Sequence, residues 1–217
     1  MQKLIDFNYK MAIFDLDGVI VDTAKYHYLA WKELADKLGF EFTIEHNERL
    51  KGISRMQSLE ILLEVGGLSF SPAEKETMAE KKNRRYVEYI SQLRHDEILP
   101  GARELLAELR RRGLKIGLGS ASKNAPQILE RLGIAELFDV IADGNNAKKA
   151  KPDPEVFLLA ANTMDILPAD CIVFEDAQAG IEAAVAAGMS VIGVGNPENL
   201  NDAELYVNDL SDVLQII

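Results

Sequence analysis

Two aspartates follow a short apolar stretch near the start of the chain. Asp15 and Asp17 come after Met11–Phe14 and are followed by Gly18. On a β-strand, residues i and i+2 point to the same side, so the two carboxylates are expected to share one face at the end of a buried strand. Carboxylates held this close repel each other unless a cation lies beside them. The pair therefore predicts a nucleophile and an acid/base partner beside a divalent metal; the alternative is an acidic turn after a core strand.

A second polar segment, Ser120 to Asn124, directly follows the apolar run 116–119 and leads into a predicted helix. Small hydroxyl residues at a helix N-terminus can hold an anion with their side chains and with backbone N–H groups. The alternative is simple helix capping by Ser122 or Asn124, and capping is compatible with anion binding.

A third candidate is Lys151, which precedes Pro152. Proline favours an extended backbone at the residue before it, and a lysine so placed can project a point charge into a site. The alternative is an exposed loop lysine beside Lys148 and Lys149.

A second pair of acids, Glu175 and Asp176, ends the apolar run 172–174. Two acids near the end of a sheet are costly without a counter-charge. Magnesium would supply that charge, because it is a hard cation that keeps water and phosphate oxygens in its coordination shell. The alternative is an acid-rich start of the next helix.

Strand and helix patterns alternate after residue 94, whereas the segment after the first strand is mainly helical. Alternation of this kind predicts a parallel sheet covered on both faces. We therefore expect an α/β fold, a doubly wound parallel sheet with a Rossmann-like core, and a helical cap domain inserted after the first strand. The predicted core domain is discontinuous and consists of residues 1–22 and 94–217, and the predicted cap domain is 23–93. The predicted strands are 11–16, 115–119, 138–142, 171–174 and 190–194.

Composition excludes several classes of protein. The 217 residues are 47% hydrophobic and carry a net charge of −11, which argues against disorder and against a nucleic-acid partner. A single cysteine, Cys171, rules out an internal disulfide. Because no apolar run reaches membrane-spanning length and residues 1–10 lack a signal-peptide pattern, we expect a cytoplasmic protein with no membrane partner. We also expect a monomer, in which residues 1–10 are a loose leader before the first strand.

The order of these features along the chain resembles the haloacid dehalogenase-like phosphotransferase superfamily. The resemblance runs from about residue 11 to residue 195 and rests on Asp-x-Asp-Gly-Val, the strand-end serine, Lys-Pro and Glu-Asp. It implies that Asp15 is the nucleophile and Asp17 the general acid/base. It also implies that Ser120 and Lys151 hold the transferring phosphoryl group. The implied magnesium ligands are Asp15, the backbone carbonyl of Asp17, and Asp176, with Glu175 supporting or joining them.

Within that superfamily the chain is similar to the β-phosphoglucomutases. The matching stretches are Asp22-Thr23-Ala24 with Tyr26, His27 and Trp31, Leu50 to Arg55, Lys82-Asn83, Ser120 to Asn124, and Asp176 to Ile181. Ala177 departs from the pattern, because a serine is expected there. This puts in doubt the support around the neighbouring metal ligand.

The resemblance implies a second phosphate site, for which Arg55 of the cap offers a bidentate fork. It implies roles for Thr23, His27, Trp31, Gly52 and Lys82 in the substrate site and its hinge, and it completes the second phosphate site with Ser122, Lys123 and Asn124. Several of these residues have a plainer alternative: a helix cap for Thr23, a capped-helix or core contact for His27, packing under the cap for Trp31, a solvated helix start for Arg55 and a solvated helix face for Lys82.

The implied activity is a phosphomutase that interconverts β-glucose 1-phosphate and glucose 6-phosphate. An aspartyl phosphate and glucose 1,6-bisphosphate, which also serves as the primer, would be the intermediates, and Mg²⁺ the cofactor. The alternatives are a magnesium-dependent sugar-phosphate phosphatase of the same superfamily and a catalytically silent binding protein on the same scaffold.

Overall fold

The structure is a computed structural model, and the residues that it describes are 7–217; the first six residues of the predicted leader lie outside the described residues. Six strands form one sheet in which all neighbouring pairs are parallel, in the order β3-β2-β1-β4-β5-β6. This confirms the doubly wound α/β fold. The strands are β1 (Met11–Phe14), β2 (Lys115–Gly119), β3 (Val140–Ala142), β4 (Cys171–Glu175), β5 (Ser190–Val194) and β6 (Leu205–Val207).

Four helices lie between β1 and β2, and five lie among or after the other strands. The first four are α1 (Ala24–Leu38), α2 (Ile44–Glu48), α3 (Arg55–Val65) and α4 (Pro72–Ile90). The others are α5 (Ala102–Arg111), α6 (Ala125–Leu132), α7 (Glu155–Thr163), α8 (Gln178–Ala186) and α9 (Leu210–Val213). None of the helices within residues 7–217 combines the length and the apolar character needed to cross a membrane.

The sheet divides the core into two layers, because successive side chains of a strand point to opposite faces. Ala12 and Phe14 of β1 belong to one apolar cluster, which α5, α6 and α9 also enter. Met11 and Ile13 belong to the other, together with residues of α7 and α8. The first strand is therefore buried on both faces, which explains its uninterrupted apolar run.

The inserted helices α1–α4, called the cap below, have an apolar cluster of their own. Trp31 and Leu34 of α1 pack there with Leu59 and Leu62 of α3. The opposite ends of α1 and α4 join the main core instead, through residues such as Ala30 and Tyr86. The domain boundaries at residues 22, 23, 93 and 94 stay a prediction.

Several element boundaries differ from those predicted. The first strand ends at Phe14 rather than residue 16, so Asp15 and Asp17 follow the strand and do not lie on it. The chain turns at Gly18, whose N–H donates to the Val21 carbonyl oxygen at 2.8 Å. The third strand starts at residue 140, and α2, β6 and α9 were not predicted.

Candidate active site

The polar strand ends meet at the centre of the sheet. Strands β2 and β4 flank β1 on either side, so the chain order reverses at β1, and crevices at such points are where parallel sheets bind ligands. Asp15, Ser120 and Glu175 lie at or just after the carboxyl ends of these three strands. The backbone N–H of Asp15 donates to the Phe174 carbonyl oxygen at 2.9 Å, which ties the acid to the neighbouring strand. The crevice opens into a cavity of about 900 Å³ between the sheet and the cap.

Lys151 joins the two acidic strand ends. Its ammonium group lies 2.6 Å from Oδ1 of Asp15 and 2.8 Å from Oε2 of Glu175, and all three side chains are buried. Burial lowers the pKa of Lys151, but the charges of both carboxylates outweigh it and hold that pKa above its ordinary value. For Glu175, burial and the charge of Asp15 raise the pKa against the opposing effect of Lys151. The lysine therefore stays charged at the base of the cavity.

Three carboxylates could hold a cation. Asp15, Glu175 and Asp176 each offer an oxygen, and these oxygens all lie within 4.8 Å of one another. Burial, followed by the charges of Glu175 and Asp15, raises the pKa of Asp176 well above its ordinary value. Gly18 has a φ of +81°, and a Cβ built there would overlap the carboxyl group of Asp176, so the position requires glycine. An all-oxygen set of closely placed acids fits a hard divalent cation.

Asp17 receives a relay of hydrogen bonds from buried hydroxyl groups. Tyr86 donates to Oγ1 of Thr23 at 3.1 Å, and the Thr23 hydroxyl donates to Oδ1 of Asp17. Burial, followed by the charge of Asp15, raises the pKa of Asp17 to about 7, while the hydrogen bond from Thr23 opposes this rise. A carboxyl group with a pKa near neutrality suits general acid/base catalysis.

A buried lysine of the cap lies beside this relay. Lys82 is only 4% exposed, and its ammonium group lies 2.8 Å from Nδ1 of His27. The same group lies over the rings of Trp31 and Tyr86, 4.4 Å and 4.8 Å from their centroids. Burial and the charge of Arg55 lower its pKa well below the ordinary lysine value. This cluster couples α1 and α4 on the side of the cavity that faces Asp17.

The cap is docked on the core at the mouth of the cavity. A Cβ built on Gly52 would lie 3.1 Å from the Cβ of Ala177. Nδ2 of Asn124 donates to Oδ1 of Asn83 in α4 at 3.0 Å. The ammonium group of Lys51 lies 4.0 Å from Oδ2 of Asp176. These contacts join the cap to the segments after β2 and β4, which carry Ser120 and Asp176.

A second group of polar residues lines the same cavity. It consists of Arg55 from the cap and Ser122, Lys123 and Asn124 from the core. Oγ of Ser122 accepts the N–H of Asn124 at 3.2 Å. Burial lowers the pKa of Arg55. Within residues 7–217, neither Arg55 nor Lys123 forms a salt bridge. Both cations are therefore available to an anionic ligand.

The structure brings almost all the predicted site residues to one cavity. The residues that line it are Asp15, Asp17, His27, Trp31, Gly52, Arg55, Lys82, Ser120, Ser122, Lys123, Asn124, Lys151 and Asp176. Thr23 and Glu175 lie behind the residues that line the cavity. Thr23 donates a hydrogen bond to Asp17, which lines it, and Glu175 accepts one from Lys151. Their individual roles stay predictions.

Sequence reasoning assigned no role to several residues of this site. Tyr86 is one helical turn after Lys82 on α4, so the periodicity of that helix could have indicated it. Lys51 and Asn83 were part of the matching stretches, but a contact across the cap and the core is not visible in a sequence. Asn145, which also lines the cavity, had no signal.

A buried carboxylate lies at the centre of the parallel sheet, a lysine is fixed beside it, and two cations that form no salt bridge in the described part of the chain line the same cavity. This arrangement suits the transfer of a phosphoryl group, where catalysis is mostly positioning and charge neutralisation. The fold and the site together define an α/β phosphotransferase.

Comparisons with known proteins agree with this class. The family model for haloacid dehalogenase-like hydrolases matches residues 9–188. A β-phosphoglucomutase of Bacillus subtilis is 48% identical over 94% of this chain and 91% of its own length. A phosphorylated carbohydrates phosphatase of Thermotoga maritima is 32% identical over 88% of this chain and 87% of its own. The crystal structure of a β-phosphoglucomutase from Clostridium difficile superposes with a TM-score of 0.91, at 49% identity over 94% of this chain and 93% of that one. The chain belongs to the haloacid dehalogenase-like hydrolase family.

Proposed function

We propose that this chain is a β-phosphoglucomutase, which interconverts β-glucose 1-phosphate and glucose 6-phosphate. The observation that carries the proposal is that two groups of polar side chains, each of which includes a cation, line one cavity. One contains Asp15, Ser120 and Lys151, and the other contains Arg55 and Lys123. A mutase that works through a sugar bisphosphate needs a site for the phosphoryl group in transit and another for the phosphate that stays on the sugar.

Asp15 is the proposed carrier of the phosphoryl group. Its carboxylate oxygen forms a bond to phosphorus as the bond from phosphorus to the sugar oxygen breaks, which leaves an aspartyl phosphate. In the return step the hydroxyl oxygen of the hexose phosphate attacks that phosphorus, and the bond to Asp15 breaks. Lys151, fixed against Asp15 at 2.6 Å, supplies positive charge where the phosphoryl oxygens gather.

Asp17 is the proposed proton carrier for both half-reactions. It takes the proton from the attacking sugar hydroxyl and returns it to the leaving sugar oxygen when the bisphosphate is cleaved. Burial keeps its pKa near 7, so both protonation states are accessible near neutral pH. Thr23 holds the carboxyl group in place through the hydroxyl relay from Tyr86.

Magnesium is the proposed metal, and Asp15, Asp176 and the backbone carbonyl of Asp17 are its proposed ligands, with Glu175 supporting or joining them. The closely spaced carboxylate oxygens of Asp15, Glu175 and Asp176 support this assignment. When bound, Mg²⁺ neutralises negative charge between the carboxylates and the phosphoryl oxygens.

The docked cap supports a transferase over a hydrolase. Water in the cavity would hydrolyse the aspartyl phosphate, and cap closure excludes it. The close contact of Gly52 with Ala177 and the hydrogen bond between Asn83 and Asn124 hold the cap against the core. His27 and Lys82 are the proposed hinge contacts, because they join α1 to α4 beside Asp17.

The proposed substrates are free sugar phosphates, and glucose 1,6-bisphosphate is the proposed primer. We propose that the protein acts as a monomer, since the residues of the proposed site already meet around one cavity within a single chain. We infer a cytoplasmic location, because sugar phosphates are multiply charged and do not cross a bilayer without a carrier.

The test is a product assay on a panel of hexose 1-phosphates with Mg²⁺ and a trace of the sugar bisphosphate. The expected result is glucose 6-phosphate from β-glucose 1-phosphate, with little free phosphate. Release of free phosphate without isomerisation would instead identify a sugar-phosphate phosphatase. An Asp17→Ala variant should lose turnover, and full activity in that variant would refute the role given to Asp17.

A further inference from the structure

The loop after β3, residues 143–146, is held in one shape by its own side chains. Asp143 is only 2% exposed, and its Oδ1 accepts the backbone N–H of Asn145 at 2.7 Å. Its Oδ2 accepts Nδ2 of Asn145 at 3.0 Å. On the other side, Oδ1 of Asn146 accepts the backbone N–H of Asp143 at 2.7 Å. The amide group of Asn145 is therefore fixed by a buried carboxylate.

This loop lies directly against the segment that carries the proposed second phosphate site. Nδ2 of Asn145 also donates to the carbonyl oxygen of Lys123 at 2.9 Å. A Cβ built on Gly144 would lie 2.6 Å from the carbonyl oxygen of Ala121 and 3.0 Å from Cγ of Lys123. No other residue type fits at position 144 without displacing one of the two segments.

The peptide unit between Lys123 and Asn124 is thus fixed at both of its polar groups. Asn145 holds the carbonyl oxygen, and Oγ of Ser122 holds the N–H at 3.2 Å. A peptide plane held at both of its polar groups is restrained from rotating, so the Cα–Cβ bonds on either side of it keep their direction. Those side chains, Lys123 and Asn124, both line the cavity.

We propose that Asn145 is a positioning residue for the second phosphate site, through which it sets the affinity for sugars that carry a second phosphate. The inference rests on the proposed function only for the identity of that site. Asn145 acts through the Lys123–Asn124 peptide. Without its amide group the carbonyl oxygen of Lys123 loses its partner, and the backbone from which Lys123 and Asn124 enter the cavity is no longer fixed.

The chain offers a matched pair of variants. Asn145→Ala removes the amide that contacts Lys123. Asn146→Ala removes the neighbouring amide, which bonds to the N–H of Asp143 and the carbonyl oxygen of Ile141 and, within the described residues, makes no hydrogen bond to 120–124. Both variants weaken the same loop, but only the first releases the peptide at Lys123.

Two reactions of the full-length enzyme separate positioning from general damage. Asn145→Ala should raise KM for glucose 1,6-bisphosphate about two- to tenfold, the ratio that one ordinary hydrogen bond contributes. It should leave unchanged the rate at which acetyl phosphate, a donor with a single phosphate, phosphorylates the enzyme. Asn146→Ala should lower the melting temperature and leave both quantities as in the wild type.

An unchanged KM in Asn145→Ala would overturn the inference. An equal rise of that KM in Asn146→Ala would also overturn it. So would a fall in the rate of phosphorylation by acetyl phosphate in Asn145→Ala as large as the rise in KM, since either result would show a merely structural role. Absence of glucose 6-phosphate in the wild type would refute the proposed mutase function instead. In that case the same comparison of KM, measured on phosphate release from the bisphosphate, still decides the role of Asn145.

Discussion

The hydroxyl group of Thr23 is expected to set the pH at which Asp17 can act as a base. It donates to the Asp17 carboxylate and so favours the charged form of a buried acid whose pKa is about 7. Thr23→Val keeps the shape of the side chain but removes the donor. A hydrogen bond to a charged group contributes about 1.5–3 kcal/mol. At about 1.4 kcal/mol per pKa unit, the pKa of Asp17 should rise by about one to two units.

The assay is the pH dependence of kcat/KM for the phosphorylated enzyme and β-glucose 1-phosphate. Asp17 must be deprotonated to accept the proton of the sugar hydroxyl, so the rate should rise with pH through its pKa. In Thr23→Val this acidic limb should move to higher pH by about one to two units, as the lost hydrogen bond dictates. Thr23→Ser keeps the hydroxyl group and should leave the limb in place.

The same variant removes the acceptor of the buried Tyr86 hydroxyl. The free energy of unfolding should therefore fall by about 1–3 kcal/mol, the cost of a buried polar group without a partner. An acidic limb that does not move in Thr23→Val, with a normal fold, would refute the relay from Thr23 to Asp17.

Three other perturbations follow from the geometry of the site. Lys151→Met leaves two buried carboxylates without their cation, so chemical denaturation should show a loss of about 3–5 kcal/mol in the free energy of unfolding. Asp176→Asn removes one of three mutually repelling charges, so the melting temperature of the metal-free protein should rise and Mg²⁺ should no longer raise it further. Gly52→Ala adds a methyl group at a φ of +72°, 3.1 Å from the Cβ of Ala177, so the cap should close less completely and the ratio of free phosphate to glucose 6-phosphate should rise.

Each of these expectations has an outcome that contradicts it. A Lys151→Met protein as stable as the wild type would mean that the buried ion pairs are not formed. A metal-dependent rise in melting temperature that survives in Asp176→Asn would exclude this acid as a ligand. An unchanged product ratio in Gly52→Ala, with an unchanged KM, would mean that the contact with Ala177 does not control the entry of water.

The sheet and the main site could be predicted because their signals are local. Strands buried on both faces leave uninterrupted apolar runs, and each polar residue that ends such a run stands out in the sequence. Parallel strands then bring those ends to one edge of the sheet. Asp15, Ser120 and Asp176 are predicted in this way, although Asp15 and Asp17 follow the first strand rather than lying on it. Lys151 is predicted from the proline that follows it, and it lies in the segment between β3 and α7.

The remaining features depend on contacts between distant segments, which leave no periodic signal. The helices α2 and α9 and the strand β6 have three to five residues each, too few for a pattern to emerge. The hydrogen bond from Tyr86 to Thr23 spans 63 residues, and that from Asn145 to Lys123 joins two loops. Only tertiary packing decides which of several asparagines or tyrosines makes such a bond.

The most direct test of the account follows one phosphoryl group through the enzyme. The wild-type protein with Mg²⁺ is labelled from radioactive glucose 1,6-bisphosphate, and the labelled peptide is identified after acid quench. A chase with unlabelled β-glucose 1-phosphate then shows where the label goes. We expect label on Asp15, followed by its transfer to sugar phosphate and its recovery in glucose 6-phosphate. Label on another residue, or label that leaves Asp15 only as inorganic phosphate, would contradict it.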